Sequence, residues 1–244
     1  MRFSSMIGLA ALGALSGCAS TGQADEVGDP LEGFNRKMFA FNDTLDRAVL
    51  EPTAKGYRAV TTSDMREGVA NALDNLKEPV TFVNQLLQGD IGDAGETVGR
   101  FALNSTLGVA GLVDVTGHLG EGRKKEDFGQ TLAVWGAPAG PYLVLPFLGS
   151  TTPRDLTGTV TDAAFQPLNW AQFEGDDAVR LGRSVAGVIS GREAAIEVVE
   201  DLRTQQLDPY VAVRRFYVDS RAAAVRNGAE VPDAFENLPD YEEY

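Results

Sequence analysis

From Phe128 to Pro153 the chain reads FGQTLAVWGAPAGPYLVLPFLGSTTP, twenty-six residues without a charge in a protein that is 23% charged. About 20 apolar residues suffice to cross the hydrocarbon core of a bilayer as a helix. The length is there, but the backbone is wrong. Pro138, Pro141, Pro146 and Pro153 remove amide donors, and Gly136, Gly140 and Gly149 between them break helical geometry every few residues. In hydrocarbon each unpaired backbone group costs several kcal/mol, so a broken apolar segment survives there only where protein covers it or where it lines a wet cavity. The competing reading is the core of an ordinary soluble domain, and this stretch taken alone favours it.

The start of the chain bears on that choice. Arg2, the apolar run Met6 to Leu15 and the small residues before Cys18 have the layout of a secretory signal over residues 1–17. Its end, LSGC, is similar to the lipobox of bacterial lipoproteins, which implies that Cys18 is lipidated once the signal is removed. Several acyl chains make such an anchor stable where one would be marginal. Ala19 rather than Asp after the cysteine points to the outer membrane, facing the periplasm. Cys18 is the sole cysteine, so neither an intramolecular disulfide nor a cysteine-based metal cluster is available, and no cofactor is expected. The formal net charge is −14, and losing Arg2 with the signal leaves 20 basic against 35 acidic residues. That balance argues against a nucleic-acid partner, whose phosphates call for clustered Lys and Arg.

Residues 18–29 are small, polar and acidic, and read as a disordered tether. Asp29-Pro30 then predicts a helix start with Asp29 as the cap, and Phe34, Met38, Phe41, Leu45 and Val49 share one helical face until Pro52 ends it. Phe39 points elsewhere; Phe34, Phe39 and Phe41 are candidates for facing a membrane. Thr62 predicts a second cap, Pro79 restarts the chain as a helix that reaches Gly89, and another helix follows from Asp93. Gly95 and Gly99 form a G-x-x-x-G that permits close helix approach. Residues 101–113 are a second uncharged run, separated from the first by a polar connection containing Arg123, Lys124 and Lys125. Thr152-Pro153 opens a helix that ends near Pro167, further helices follow from Asp176 and Arg192, and Asp208-Pro209 caps the last. The arginines of that last helix, Arg214, Arg215, Arg221 and Arg226, read as a solvated face. Residues 229–244, acidic and without a base, read as a disordered tail, leaving 30–228 as the folded part of an all-α protein.

Chemistry is sparse. His118 is the only histidine and sits in the charged connection; no nucleophile elbow, H-E-x-x-H or phosphate-cradling glycine loop accompanies it. Neighbouring acids such as Glu126 and Asp127 are ordinary surface charge unless burial shifts one. No catalytic or metal site is expected.

Five ordered blocks carry a family resemblance: DPLEGFNRKMFAFN (29–42), NLKEPVTFVNQLLQG (75–89), GRFALNSTLGVAGLVDV (99–115), EDFGQTLAVWGAPAGPYLVLPFLGSTTPRD (126–155) and DPYVAVRRFYVDSR (208–221). Together they resemble the MlaA/VacJ family of outer-membrane lipoproteins. The resemblance implies a ring of amphipathic helices lying in the inner leaflet of the outer-membrane bilayer around an amphipathic channel. It also implies association with a trimeric porin and the handing of stray outer-leaflet phospholipid to a periplasmic lipid carrier, MlaC. On this reading Leu107, Val109, Leu112, Tyr142, Leu143, Leu145 and Phe147 are candidates for the lipid path or gate, with Gly108, Gly111 and Pro146 shaping the backbone. Arg123, Lys124, Lys125 and Arg154 are candidates for meeting the headgroup. The alternatives are a structural lipoprotein that scaffolds porins and a periplasmic lipid hydrolase dependent on His118.

Overall fold

The computed structural model describes residues 27–120 and 122–227. The signal (1–17), Cys18, nearly all of the tether and the acidic tail (229–244) lie outside the described residues. The described chain is helical apart from one small hairpin. Its elements are α1 (Glu32–Leu45), a π-helical turn (Asp46–Leu50), α2 (Glu51–Val60), α3 (Ser63–Asn75), α4 (Glu78–Gln88), α5 (Ile91–Thr106) and α6 (Val115–His118). They continue with α7 (Phe128–Val134), β1 (Leu143–Leu145), β2 (Gly149–Thr151), α8 (Pro153–Phe165), a 3-10 turn (Pro167–Asn169), α9 (Asp176–Ala194), α10 (Ile196–Gln205) and α11 (Pro209–Val225).

Side-chain caps start most of these helices where a short polar residue meets an otherwise orphaned amide. Thr62 accepts from Met65 N at 3.3 Å, Thr152 from Asp155 N at 3.2 Å, and Asp208 from the amides of Tyr210 and Val211. Asp29 is the exception. Helix α1 begins after Leu31 without a side-chain cap, and the Asp29 carboxylate instead accepts from Asn35 Nδ2 at 2.8 Å and from the Tyr210 hydroxyl. Pro52 does not end the first helix either. The preceding π-helical turn holds one extra residue, which places Pro52 in the first turn of α2, where a missing amide costs nothing.

Close approach occurs elsewhere than at Gly95 and Gly99, since a Cβ on either would meet nothing within 4 Å. The tight pair is Gly129 with Gly158: a Cβ on Gly158 would lie 2.3 Å from the Gly129 nitrogen, so α7 and α8 pack backbone against backbone.

The hairpin pairs Leu143 with Thr151, Val144 with Ser150 and Leu145 with Gly149, its turn made possible by Phe147 and Gly149 at φ 65° and 76°. Two asparagines one face of α1 apart serve as a substitute strand for its free edge. Asn35 donates to Tyr142 O and accepts from Val144 N, both at 2.9 Å; Asn42 donates to Leu145 O and accepts from Phe147 N at 2.9 and 3.0 Å. The face of α1 turned inward is therefore Asn35, Met38, Phe39 and Asn42. Phe39 is not membrane-facing: it stacks edge-on to Tyr210 at 5.8 Å in a cluster with Tyr142, Val144 and Tyr217. Tyr142, fully buried there with its hydroxyl 2.7 Å from Ser150 Oγ, is core and cannot line a path. Phe34 and Phe41 do face outward.

That cluster is small. Among the described residues seven apolar side chains are buried against seventeen polar or charged ones, while large apolar side chains cover the outside. Helix α5 shows the inversion: Thr97, Arg100 and Asn104 recur at three to four residues on the buried face, and Ile91, Val98, Phe101 and Leu103 are exposed. In water a helix buries its apolar stripe. Here the stripe faces out, which is the arrangement a hydrocarbon surrounding stabilises. No helix of the described residues is long and apolar enough to cross a membrane.

Candidate functional site

The polar interior opens into a cavity of about 820 Å³. Helix α3 contributes Ala70, Leu73 and Asp74 to its wall, α4 contributes Glu78, Val80 and Thr81, and α8 contributes Thr159, Asp162 and Ala163. The segment 123–127 and the face of α9 from Arg183 to Ala194 complete it. One part of this lining is apolar and small, the other densely charged.

Most of the charge is paired. Arg123 donates through Nε to Glu78 at 3.0 Å and through Nη1 to Asp74 at 3.0 Å, with Asp114 at 3.6 Å. Arg100, 4% exposed, stands 3.3 Å from Asp114 behind it. Lys125 and Lys77 take the Asp74 carboxylate at 2.9 and 3.0 Å. Burial works to raise the Asp74 carboxyl, but the hydrogen bonds from Lys125 and Lys77 hold it at about 2. For Glu78, 2% exposed, burial prevails over Arg123 and Arg100 and its carboxyl stays above the ordinary range. On the other side Arg221 binds Asp127 at 2.6 and 3.0 Å and Asp155 at 2.9 and 3.2 Å, and the Tyr217 hydroxyl donates to Asp155.

Between these clusters two carboxylates are held by neutral donors. Asp162 accepts from Asn84 Nδ2 at 2.8 Å and from the Phe128 amide at 3.1 Å; Glu126 accepts from Gln88 Nε2 at 2.9 Å. Thr131 links the two, donating to Asn84 Oδ1 at 2.9 Å and accepting from Gln88 at 3.2 Å. Burial pushes both carboxyls above their ordinary values.

The residues expected to form the path fall outside this cavity. Leu107, Val109 and Leu112 lie on an exposed loop after α5. Gly108 and Gly111 are buried there because a Cβ would strike Val113 O at 2.2 Å and Asn75 Cβ at 2.6 Å. Leu143 and Leu145 are half-buried in β1, and Pro146 and Phe147, the latter 78% exposed, make the hairpin tip. The glycine- and proline-broken parts of the two uncharged segments thus become surface loop and hairpin, and the walls are made by α3, α4, α8 and α9 with the segment 123–127. Of the headgroup candidates, Arg123 and Lys125 reach the cavity but are engaged by carboxylates. Lys124 pairs with Asp93 and Glu96 away from it, and Arg154 leans on Asp155 at 3.3 Å. Arg221 is no solvated charge but the centre of a partly buried ion-pair cluster. His118 is exposed with Nδ1 2.7 Å from Asp114 O. Asp162 and Arg183 are lining residues that periodicity did not single out; a run of Ser and Gly on α9, Ser184, Gly187, Ser190 and Gly191, was the available signal that this helix borders open space.

A family model described as MlaA lipoprotein matches residues 27–224. The chain belongs to the MlaA lipoprotein family. Its relatives include the intermembrane phospholipid transport system lipoproteins MlaA of Haemophilus influenzae, 38% identical over 93% of this chain and 92% of that one, and of Escherichia coli K12, 37% identical over 89% and 86%. An uncharacterized protein of Rickettsia felis is 40% identical over 82% of this chain and 79% of its own. A solved chain from work on the structural basis for maintenance of bacterial outer membrane lipid asymmetry superposes with a TM-score of 0.70 at 36% identity, covering 81% of this chain and 98% of that one. MlaA membership accounts for a helical fold with one small hairpin.

Proposed function

We propose that this chain removes mislocalised phospholipid from the outer leaflet of the outer membrane through the cavity bounded by α3, α4, α8 and α9, and passes it to a periplasmic carrier. The observation that carries this reading is the cavity itself: an open-sided space with an apolar part and a charged part, walled by the segment 123–127 and by helices that also carry exposed apolar side chains such as Met65, Leu86, Val160 and Leu181. Pulling a sixteen-carbon chain from a bilayer into water costs on the order of 10 kcal/mol at about 0.8 per methylene. Leu73, Val80, Ala163 and Val188 offer that chain an apolar wall, while the charged wall keeps water and the headgroup in the same space. No bond is made or broken, so no catalytic group is required. The names of the Haemophilus influenzae and Escherichia coli relatives support phospholipid as the cargo.

On this reading the protein lies in the periplasmic leaflet, held by lipid on Cys18 and a tether to residue 29, with 30–228 as the transport domain. The outward apolar faces meet lipid and a trimeric porin, and MlaC is the soluble acceptor. A purely scaffolding lipoprotein has no need of a cavity that joins an apolar wall to a charged one. A photo-crosslinking residue at Val188 or Ala163, both in the lining, should capture phospholipid in intact cells, whereas the same probe at the exposed Val160 should capture bulk lipid without dependence on the acceptor. Lining positions that never capture lipid while the protein is present and folded would overturn the proposal.

A further inference from the structure

Every cavity-lining cation but one is neutralised from within the protein. Lys77, Lys125 and Arg123 share Asp74, Glu78 and Asp114. Arg183, half-buried on α9, lines the same cavity, and among the described residues no carboxylate, carbonyl or hydroxyl accepts from its guanidinium. On different walls, from the 123–127 segment and α8, stand Glu126 and Asp162, the lining carboxylates held by neutral donors rather than by a cation. The lining is thus left with one unmatched positive and two unmatched negative positions. We propose that Arg183 holds the phosphodiester of the lipid, and that Glu126 and Asp162 face the far end of its headgroup and favour one that ends in an ammonium over an uncharged polyol.

This assignment rests on the transport reading above and names its substrate class. A planar guanidinium matches two phosphate oxygens with parallel N–H donors, and such charge-assisted pairs are about twice as strong as neutral ones. The site is partly walled by Val188 and Ala163, so the pair is less screened than it would be in water. The carboxylates supply the complement: burial holds both carboxyls above their ordinary values, and an ammonium brought beside them would draw them back to the charged form. A polyol headgroup leaves that burial uncompensated.

The test uses the full-length lipidated protein in detergent, offered equimolar phosphatidylethanolamine and phosphatidylglycerol and read by native mass spectrometry, with thermal unfolding as the folding control. The wild type should retain phosphatidylethanolamine several-fold over phosphatidylglycerol. Arg183→Gln should lower retention of both about tenfold or more, with Arg183→Lys restoring part of it; Glu126→Gln with Asp162→Asn should bring the ratio towards one without lowering the total. Deacylated glycerophosphoethanolamine and inorganic phosphate at millimolar concentration should displace neither lipid, because the acyl chains supply most of the binding; displacement by inorganic phosphate would make this a free-anion site and overturn the lipid assignment. Unchanged retention in folded Arg183→Gln, or a ratio indifferent to the carboxylate pair, would also overturn it while leaving transport intact. A wild type that retains no phospholipid would instead count against the transport reading itself.

Discussion

Gly187 and Gly191 lie one turn apart on α9, both in the cavity lining, and a Cβ on either meets nothing within 4 Å. Replacing both with Trp aims two indoles towards the cavity, the Cβ of each starting in open space. Interior helix glycine is about 1 kcal/mol worse than Ala and ordinary residues about 0.7 at most, so the exchange should leave folding unchanged or raise stability by a few tenths of a kcal/mol per site. Two aromatic side chains bury about 300–500 Å² in all. If half of that is lost whenever a lipid passes, the barrier rises by about 4–6 kcal/mol at 25 cal/mol per Å², which is a slowing of about 10³-fold or more. Gly182, on the same helix with the same open surroundings but outside the lining, supplies the control as Gly182→Trp. The assay is complementation of a strain lacking its own copy, with outer-leaflet phospholipid measured by access to added phospholipase and protein level checked by immunoblot. The double variant should be inactive at normal abundance and Gly182→Trp fully active. Clearance by the double variant at the wild-type rate would mean that lipid does not pass through this cavity.

Other consequences follow from the interior. Arg221→Met leaves Asp127 and Asp155 facing each other without their shared cation and should cost about 3–5 kcal/mol, read as denaturation in detergent; adding Asp127→Asn and Asp155→Asn should recover most of it, and a triple variant no better than the single would contradict the pairing. Gly158→Ala must push α7 from α8 and should destabilise by about 1–3 kcal/mol, whereas Gly95→Ala, in open space, should stabilise by about 0.5–1; equal effects would refute the packing. Asn35→Ala strips partners from Tyr142 O and Val144 N in a fully buried setting and should cost about 2–5 kcal/mol, with the hairpin the first region to gain hydrogen exchange. The Asp74 carboxyl sits at about 2, below its ordinary 3.8, so its contribution is present above pH 4 and lost as pH falls through 2; after discounting for solvent screening this is about 1–2 kcal/mol, and Asp74→Asn should flatten that limb of a pH titration. Asp162 is raised, so its sign is opposite: stability gained on acidification towards its ordinary range, absent in Asp162→Asn.

The caps at Thr62, Thr152 and Asp208 were legible because capping is local: the residue that accepts and the amide that donates are three positions apart at most. The helical segments followed from the same short-range chemistry, and Pro146 marked where a helix could not run. What periodicity could not supply is which face of a helix turns inward. Val98 and Phe101 alternate with Thr97 and Arg100 on α5, and a period of 3.6 separates the two sets without saying which is covered. Reading the apolar set as the inner one assumes water outside. On α1 Phe34 and Phe41, read as candidates for facing a membrane, do turn outward, but the apolar pattern passed over Asn35 and Asn42, whose amides hold the hairpin. The ion pairs behind the wall were out of reach for a different reason: Arg221 meets Asp127 and Asp155 across 94 and 66 residues, and nothing local to any of the three announces the others.

Buried ion pairs are poor stabilisers by the standard of a water-soluble fold, since well-packed apolar groups of the same volume do as well or better. That standard changes when the surroundings are apolar. Between helices in hydrocarbon there is no hydrophobic drive to associate, because lipid tails are as apolar as Leu, and polar contacts and close packing supply the attraction instead. The Arg123, Arg221 and Asp162 clusters join α3, α4, α7, α8 and α11 and the segments between them. On the transport reading, replacing them with apolar residues would remove both the polar contacts that hold these helices together in hydrocarbon and the wet surface that a headgroup needs. On that reading the same side chains hold the wall in place and give the polar end of a lipid a wet surface, while Phe34 and Phe41 on α1 turn outward.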